Sequence, residues 1–357
     1  MHEVTVDSLN LANGTAFGDL AHRLANEKMN VGAMRPYIAT NEKTGQVIGN
    51  FINVNGEARP VANALLRKDE WKQYDEALLR AARVRLGGVE DLYSAGLVHN
   101  INNGLGTTVL EYENIGEVQP AEMNMDAVTM GKNDRPEFTM AYLPLPIIHA
   151  DFQINIRVLE ASRTRGQSLD TITAELKARQ VMEYLETMLF TGSSTFTYGG
   201  GVIYGYIDHP SRNTVTLSVN WDASAKTGAL IKDDVLSMKQ ASINDRHYGP
   251  WALYIPTAYE KVLDDDYVSG YPKTIRQRLL EIDGINSIKV IDKLTANNVL
   301  MVQMTPDVVR MVNGLPLTTV EWKTEGGMIS HYKIMTIQVP QIRADANART
   351  GIIHLSA

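Results

Sequence analysis

The sequence predicts an α+β fold organised around one long helix. Residues 168–192 carry apolar side chains at helical spacing, whereas residues 100–142 have an extended pattern with too few apolar side chains to bury both faces. Residues 233–304 alternate between helical and extended patterns, and residues 318–356 are rich in strand patterns. Helices and strands in this order indicate layers built on one mainly buried sheet.

The long helix has a sequence signal at both ends. Ser168 offers an N-cap oxygen, Asp170 adds negative charge to the first turn, and Gly192 tolerates the left-handed conformation that ends a helix. At about 1.5 Å per residue the helix is roughly 35 Å long. Its apolar stripe comprises Leu169, Ile172, Leu176, Val181, Leu185, Met188 and Leu189. We expect Leu176, Val181 and Leu185 to lie in the core.

The composition is that of a globular protein without cysteine chemistry. The chain has 357 residues, of which 44% are hydrophobic and 21% are charged. It contains no cysteine, which excludes disulfides, thiolate nucleophiles and cysteine-ligated metal sites. Its 34 basic and 41 acidic residues give a formal charge of -7. This charge argues against tight wrapping of nucleic acid by the surface as a whole.

We find no pattern of a targeting or membrane segment. The first residues lack a basic cluster followed by an apolar core, so no secretory signal is expected. The longest apolar runs, residues 142–148 and 299–304, fall short of the roughly 20 residues that a membrane helix needs. The sequence therefore predicts no export by that route and no membrane partner.

The first part of the chain is predicted to be an arm. A short amphipathic helix is expected at residues 17–24, and residues 35–40 and 46–54 are predicted to form a hairpin. Two strands on their own are marginal in water. The hairpin must therefore pack on the body of this chain or on a neighbouring chain.

Residues 61–98 are predicted to be helical. The apolar positions at helical spacing are Val61, Leu65, Leu66, Trp71, Tyr74, Leu78 and Leu79. Arg80, Arg83 and Arg85 lie near the end of the second helix, where cations complement the helix dipole. This basic group is either a solvated helix end or a patch that faces nucleic acid or an acidic neighbour.

Residues 100–142 are predicted to form a long two-stranded excursion. Residues 107–113 alternate apolar and polar side chains, and residues 131–136 supply a turn. The low apolar content predicts a flap that reaches over a partner. A strand over residues 142–155 and a short helix at residues 158–164 are expected to follow.

The chain beyond Gly192 is predicted to form a second lobe and then to return to the first. A glycine-rich turn covers residues 198–210. The expected elements of the lobe are helices at residues 233–245 and 274–282 and strands at residues 251–255, 287–291 and 298–304. The returning strands are expected at residues 318–323, 330–339 and 351–356.

No constellation of residues predicts catalysis or metal binding. The eight histidines are scattered at positions 2, 22, 99, 149, 209, 247, 331 and 354, without the spacing that puts two ligands on one helical face. No serine lies in a GxSxG motif, and no carboxylate pair has the spacing of an acid/base couple. We predict no catalytic, cofactor-binding or metal-binding residue, and no cofactor.

Two short segments invite a ligand-binding interpretation. Gly199, Gly200 and Gly201 lack the lysine and the Ser/Thr of a phosphate loop, so a turn that needs positive φ is favoured. The run Asp264–Asp266 offers oxygen ligands to a divalent cation. Adjacent carboxylates repel, and a solvated acidic loop is the favoured interpretation.

Three stretches carry a resemblance to a known family. They are Leu143–Ser162 with its Pro-Leu-Pro motif, Ala174–Gly192, and the GVIYGY motif at Gly201–Tyr206. Together with the order of the elements over residues 100–357, they resemble the HK97-type major capsid proteins of tailed bacteriophages and the related encapsulin shells. The resemblance implies an HK97-like capsid fold.

The resemblance also implies a division of the chain. The implied regions are an N-terminal arm with helices (1–99), an extended β-hairpin called the E-loop (100–142), the first part of a peripheral P-domain (143–210) with a spine helix (168–192), an α/β A-domain (211–317) and the closing P-domain strands (318–357). The polar face of the spine helix, with Lys177, Arg179 and Glu183, is then expected to face DNA or solvent.

The function that the resemblance implies is structural, not enzymatic. Copies of the chain are expected to self-assemble into pentamers and hexamers that close an icosahedral shell around double-stranded DNA. Further expected partners are scaffolding, portal and decoration proteins, with the DNA held by loose non-specific contact. The expected location is the virion, after assembly in the host cytoplasm.

One departure from the encapsulin pattern favours a virus capsid. The chain carries additional N-terminal residues before the flap, which suit clamping of neighbours. An encapsulin-like compartment that encloses cargo protein is the alternative, and a soluble α/β enzyme is a remote one. The Lys–Asn crosslink of some relatives is not predicted, because neither Lys132 nor any asparagine aligns to such a pair.

Overall fold

The computed structural model describes most of the chain from residue 37 onward. The described residues are 37–40, 47–54, 57–60, 66–67, 87–115, 138–164, 172–268, 273–324, 328–345 and 347–356. The helices are α1 (Gly87–Ser94), α2 (Ile156–Thr164), α3 (Ile172–Thr191), α4 (Gly228–Asn244), α5 (Glu260–Leu263) and α6 (Ile275–Leu280).

The strands form an N-terminal sheet, two larger sheets and two hairpins. In chain order they are β1 (Tyr37–Thr40), β2 (Val47–Val54), β3 (Glu57–Pro60), β4 (Leu66–Arg67), β5 (Val98–Asn100), β6 (Val109–Ile115), β7 (Phe138–Pro144), β8 (Ile148–Asn155), β9 (Ser193–Tyr198), β10 (Gly201–Ile203), β11 (Asn213–Thr216), β12 (Trp251–Pro256), β13 (Ile285–Ile291), β14 (Asn298–Gln303), β15 (Val309–Thr324), β16 (Ile329–Ile342) and β17 (Ile352–Ser356). The predicted α+β class is confirmed.

The two larger sheets divide the fold between them. One has the strand order β5-β15-β16-β8, and its neighbouring strands β16 and β8 provide the surface on which helix α3 packs. The other has the order β11-β17-β14-β12-β13, with α4 against β11 and β17 and with α6 against β13. The prediction that residues 351–356 return to the first lobe is wrong, because β17 pairs with β14 and β11 and so completes the sheet of the second lobe.

A buried aromatic group fills the space between the two sheets. The ring of Phe190, near the end of α3, lies 5.4 Å from that of Tyr206 and 5.2 Å from that of Tyr254, in edge-on contacts. This apolar cluster also takes in residues of α1 and β15. The long helix and both sheets therefore share one continuous packing region.

Helix α3 confirms the predicted helix in its core and at its C-terminal end. Gly192 follows the last helical residue with φ at +74°, and its amide donates to the carbonyl of Met188 at 3.0 Å, as a left-handed helix stop requires. Val181 and Leu185 are buried as predicted. Ser168, Leu169 and Asp170 lie outside the described residues.

The prediction that Leu176 lies in the core is wrong. Leu176 is 52% exposed, and Ile172 of the same predicted stripe is 67% exposed. The helix instead turns a narrower face to the sheet, where Ala174 and Ala178 let the two backbones approach closely. Leu176 is displaced from that face by the helical rotation of 100° per residue and points outward.

The N-terminal region differs from the prediction in one segment. The predicted hairpin is confirmed as β1 paired antiparallel with β2, and β3 extends it. Leu66, predicted to be helical, lies in β4, which pairs with β1 in parallel. A free sheet edge on β1 can recruit an extended segment and override a local helical pattern. The other predictions for this region, including Arg80, Arg83, Arg85 and the helix at residues 17–24, lie outside the described residues.

The packing of α3 generates a stability prediction with a control on the same helix. Leu185→Ala is expected to lower the free energy of unfolding by about 2 to 5 kcal/mol, because Leu185 is fully buried and a cavity remains. Leu176→Ala should change it by no more than about 0.5 kcal/mol. Urea denaturation of unassembled subunits measures both values. Equal losses in the two variants would contradict the observed orientation of the helix.

Candidate assembly surface

The hairpin of β6 and β7 exposes a row of large apolar side chains. Phe138 is 57% exposed, Met140 46% and Tyr142 39%, and their spacing of two residues places them on one face. Across the hairpin, Glu113 lies opposite Met140 and Glu111 lies opposite Tyr142. The outer face thus combines aromatic and apolar side chains with two carboxylates.

The inner face of the hairpin is attached to the body of the protein. Leu110 and Tyr112, which alternate with the two glutamates, pack against the core under helix α3. Arg343 donates to the carbonyl of Glu113 at 3.1 Å. At Gly201 a Cβ would lie 2.3 Å from the carbonyl oxygen of Tyr142, so only glycine lets β10 approach the hairpin this closely.

A second apolar surface lies on the outer side of helix α3. Ile172, Leu176 and Tyr184 are exposed. Together with Gln180 they follow one another at steps of four residues, which places them along one side of the helix. A shallow cavity of about 380 Å³ adjoins Tyr184. Its apolar lining comprises Pro146, Ile147, Ile148, Ala150, Val181, Tyr184, Met188, Phe196 and Ile203. The helix and the cavity form one surface that the described part of the chain leaves open.

These two surfaces are the candidate functional site. Contiguous exposed apolar patches are rare on monomeric proteins and typically mark interaction sites. The sequence predicted that the flap reaches over a partner, but it did not single out Phe138, Met140 and Tyr142. Their alternation with polar residues was the available signal. Residues 131–136, predicted to form the turn, lie outside the described residues.

A buried carboxylate connects α3 to α1. Glu186 is almost fully buried, and its two oxygens accept hydrogen bonds from the amides of Gly88 at 2.8 Å and Val89 at 3.2 Å. Burial raises the pKa of Glu186, and the two hydrogen bonds oppose this shift. Asp91 of α1 links α1 to the five-stranded sheet, because it accepts from the hydroxyl of Tyr254 in β12 and forms an ion pair with Lys289 in β13. The arrangement joins parts of the fold and leaves no open position for a substrate.

The histidines of the described region have structural surroundings. Burial, followed by the charge of Arg212, lowers the pKa of both His209 and His354 to about 4. Nδ1 of His354 accepts from Arg212 at 3.3 Å, while its Nε2 lies 2.7 Å from Oδ1 of Asn298. Within the described residues, no three His, Asp or Glu side chains are grouped so that they could hold a metal ion. His2 and His22 lie outside those residues.

The two segments considered for ligand binding are a turn and a solvated loop. Gly199 and Gly200 connect β9 to β10 with φ of +58° and +81°, as a positive-φ turn requires. Asp264 pairs with Arg276 at 2.8 Å, and all three residues of the acidic run are exposed. Both observations agree with the interpretations favoured from the sequence. On the spine helix, Arg179 pairs with Glu183 at 2.8 Å on the surface.

The fold defines the class of protein. With the hairpin, the long helix and the two sheets, the chain has an HK97-like fold, related to that of phage capsid proteins and encapsulin shells, as the resemblance implied. The model of a family described as a family of unknown function, DUF6260, matches residues 61–355. The chain belongs to this family.

Individual relatives come from both kinds of shell. The type 1 encapsulin shell protein EncA of Myxococcus xanthus is 24% identical over 240 residues, which are 66% of this chain and 71% of EncA. A virus-like particle from Pyrococcus furiosus matches 80% of this chain and 98% of its own, with a TM-score of 0.57 and 20% identity. The capsid of Myoviridae phage XM1 matches 76% and 92%, with a TM-score of 0.57 and 13% identity.

The described helices contain no candidate for a membrane span. None of them is both long enough and apolar enough to cross a bilayer.

Glu321 generates a pH prediction. This side chain of β15 is 8% exposed and accepts from the hydroxyl of Ser330 at 3.0 Å. Burial raises its pKa to about 7, while Ser330 and then Lys323 oppose the shift. Because the folded pKa lies above the unfolded one, the folded state binds the proton more tightly. The resulting destabilisation is absent below the unfolded pKa and develops as pH rises towards the folded pKa.

Glu321→Gln should remove this penalty, because the amide keeps an acceptor for Ser330 without the charge. Relative to the wild type, the variant is expected to gain on the order of 1 to 3 kcal/mol at pH 8, and to gain much less at pH 4. Urea denaturation at the two pH values measures the difference, with the exposed Glu260→Gln as the control. A gain that does not change with pH would contradict the assignment of the penalty to ionisation of Glu321.

Proposed function

We propose that this chain is a shell protein whose copies self-associate and close a hollow particle. The observation that carries the proposal is the exposed apolar face of the β6–β7 hairpin, on a subunit that has an HK97-like fold. A row of aromatic and apolar side chains on a hairpin is costly in a free subunit. It becomes stabilising when a neighbouring copy covers it.

The second apolar surface has the chemistry that the hairpin needs. The hairpin face carries Glu111 and Glu113 beside its apolar row, and helix α3 carries Lys177 and the Arg179–Glu183 ion pair beside Leu176. Opposite charges around an apolar contact favour one relative orientation of two copies and suppress others. In this proposal the hairpin of one copy covers the outer side of α3, or the adjoining cavity, of its neighbour.

The regions of the chain have corresponding roles in the proposal. Residues 100–142 are the E-loop, and residues 143–210 with most of 318–357 form the peripheral P-domain. Residues 211–317 form the axial A-domain, whose sheet the last strand β17 joins. Residues 1–99 are an arm that contacts neighbours. In this division helix α3 is the spine of the P-domain.

At the finer level we propose a major capsid protein that forms pentamers and hexamers around double-stranded DNA in a virion. Support comes from the additional N-terminal sheet of β1–β4, most of which precedes the segment matched by the family model and which Tyr37 and Phe51 hold on the core of its own subunit. The net charge of -7 restricts contact with DNA to loose, non-specific interactions. Scaffolding, portal and decoration proteins are the further partners in this proposal.

An encapsulin-like compartment around cargo protein is the second candidate. The observation that favours it is sequence similarity, since identity is 24% to EncA and 13% to the capsid of phage XM1. In both candidate functions the chain forms a closed shell, and the two functions differ only in what the shell encloses and in where it is located. Neither requires a catalytic residue in this chain.

Electron microscopy of the purified chain tests the shell. We expect closed particles or rings of copies, because symmetric contacts make assembly cooperative and dependent on concentration. A species of one chain, 39.6 kDa, that persists at high concentration without rings or shells would contradict the proposal. Particles isolated from the native host then separate the candidates. Nuclease-protected double-stranded DNA favours the capsid, and co-purified enzyme without DNA favours the compartment.

The hairpin face is tested by a triple variant. Phe138→Ser, Met140→Ser and Tyr142→Ser together should leave a folded subunit, because these side chains are exposed, but should prevent closed shells. Loss of three apolar anchors is expected to raise the protein concentration needed for assembly by at least tenfold. Light scattering measures that concentration. Tyr248→Ser is the control, since Tyr248 is exposed outside both apolar surfaces, and it should assemble normally. Normal assembly of the triple variant would show that the hairpin face is not an interface.

A further inference from the structure

Several hydrogen-bond donors meet where Tyr112 and Glu113 of the hairpin lie against the sheet β5-β15-β16-β8, a place called here the root of the hairpin. Arg310 of β15 lies opposite Gln341 of β16. Arg343 follows two residues after Gln341, and its amide still pairs with the carbonyl of Val308 at 2.8 Å. Residues two apart on a strand point to the same face, so Arg310, Gln341 and Arg343 share one face of the sheet. Tyr112 of the hairpin lies near both arginines.

The amide of Gln341 has an unused donor at this place. The side chain is 0% exposed, and its Oε1 accepts from Nε of Arg310 at 2.5 Å. This contact fixes the orientation of the amide, because the flipped orientation would set donor against donor. Nε2 of Gln341 is buried and has no hydrogen-bond partner among the described residues. A buried donor without an acceptor carries a desolvation cost that a ligand can remove.

The two guanidinium groups also lack an acidic partner. Arg343 donates to the carbonyl of Glu113 at 3.1 Å, and Arg310 donates to Gln341. Neither forms an ion pair with an Asp or Glu of the described chain, because Glu111 and Glu113 alternate with Tyr112 and so point to the other face of the hairpin. Both arginines remain partly exposed, which leaves them accessible to a small ion.

The like charges are close enough to influence each other. Burial, followed by the charge of Arg343, lowers the pKa of Arg310. The charge of Arg310 in turn adds to burial in lowering the pKa of His99, which neighbours β15 on strand β5. The place therefore combines a positive potential with an unused amide donor, and no carboxylate of the described residues balances the two charges.

We propose that Arg310, Arg343 and Gln341 bind a small inorganic oxyanion of the phosphate class at the root of the hairpin. Guanidinium groups match the oxygens of such an ion with paired N–H donors, and the amide of Gln341 adds a neutral donor. Two positive charges balance a dianion.

The bound ion would tie the hairpin to the sheet. Arg343 already contacts the backbone of β6, and the ion would join that contact to β15 through Arg310. It would also remove the repulsion between the two arginines. The site thereby influences the direction in which the outer face of the hairpin points. This inference concerns the folded subunit and does not depend on what a shell encloses.

Thermal unfolding of the full-length chain with inorganic phosphate tests the site. Phosphate is varied at constant ionic strength, with chloride as the replacing anion. At about tenfold excess over its dissociation constant, phosphate should raise the Tm of the wild type by roughly 2 °C. The same concentration should not shift Arg343→Gln, which lacks one of the two charges. The control Arg276→Gln, which removes the surface pair with Asp264, should respond as the wild type does.

Two further readouts keep the test decisive. Without phosphate, Arg343→Gln should unfold at or above the Tm of the wild type, because the repulsion is gone. If that variant does not fold, Arg343→Lys, which keeps the charge but not the paired donors, should bind phosphate at least several-fold more weakly by calorimetry. An equal phosphate shift in all variants, or none in the wild type, overturns the proposal.

A cryo-electron microscopy map in phosphate supplies the last observation. Density for a tetrahedral ion within hydrogen-bond reach of both guanidinium groups supports the site. A carboxylate of a neighbouring copy in that position overturns it, and so does a map with only water there.

Discussion

The close packing of helix α3 on strands β16 and β8 is the constraint on which the rest of the structure depends. Ala174 and Ala178 have no bulk to hold the helix away from the sheet, and below them the rings of Phe152 and Tyr332 stack at 5.0 Å. A helix fixed in this rotation buries one narrow face. Its opposite side, with Leu176 and Tyr184, is therefore committed to the surface. None of the described residues covers that side, which is why it is one of the two surfaces proposed to meet a neighbouring copy.

The same helix connects the two halves of the fold through a polar contact. Desolvation of the Glu186 carboxylate is costly, and the two amides at the start of α1 offset that cost because they have no partners within their own helix. Asp91 then links α1 to β12 and β13 through Tyr254 and Lys289. The contact holds α1 against α3 while the aromatic cluster around Phe190 fills the space beside it. Polar and apolar contacts together fix how the two sheets are placed.

The features that were predictable from the sequence are those that depend on neighbours in the chain. The helix stop at Gly192 and the strands around Trp251 and Asn298 follow from local patterns, and Thr274 caps α6 with Gln277 as a capping box. Periodicity shows that Leu176 lies on an apolar stripe, but it cannot show which of two apolar sides meets the sheet. The helical prediction for Leu66 is wrong for a related reason, since the strand with which it pairs lies far away in the sequence. The proximity of Arg310 to Arg343 likewise arises only from the register of β15 and β16, which sets Arg310 opposite Gln341.

The geometry of the two apolar surfaces also bears on the symmetry of assembly. An interface between identical patches produces a closed pair of subunits, whereas contact between two different patches runs from head to tail. The hairpin face around Met140 and the outer side of α3 around Leu176 are different patches on one subunit. Each copy can therefore accept one neighbour and cover another, and a rotation that closes gives a ring. Rings of five and of six require only a small change in that rotation. A hairpin attached at its root, with a separate outer face, is suited to absorb such a change without loss of its apolar contacts.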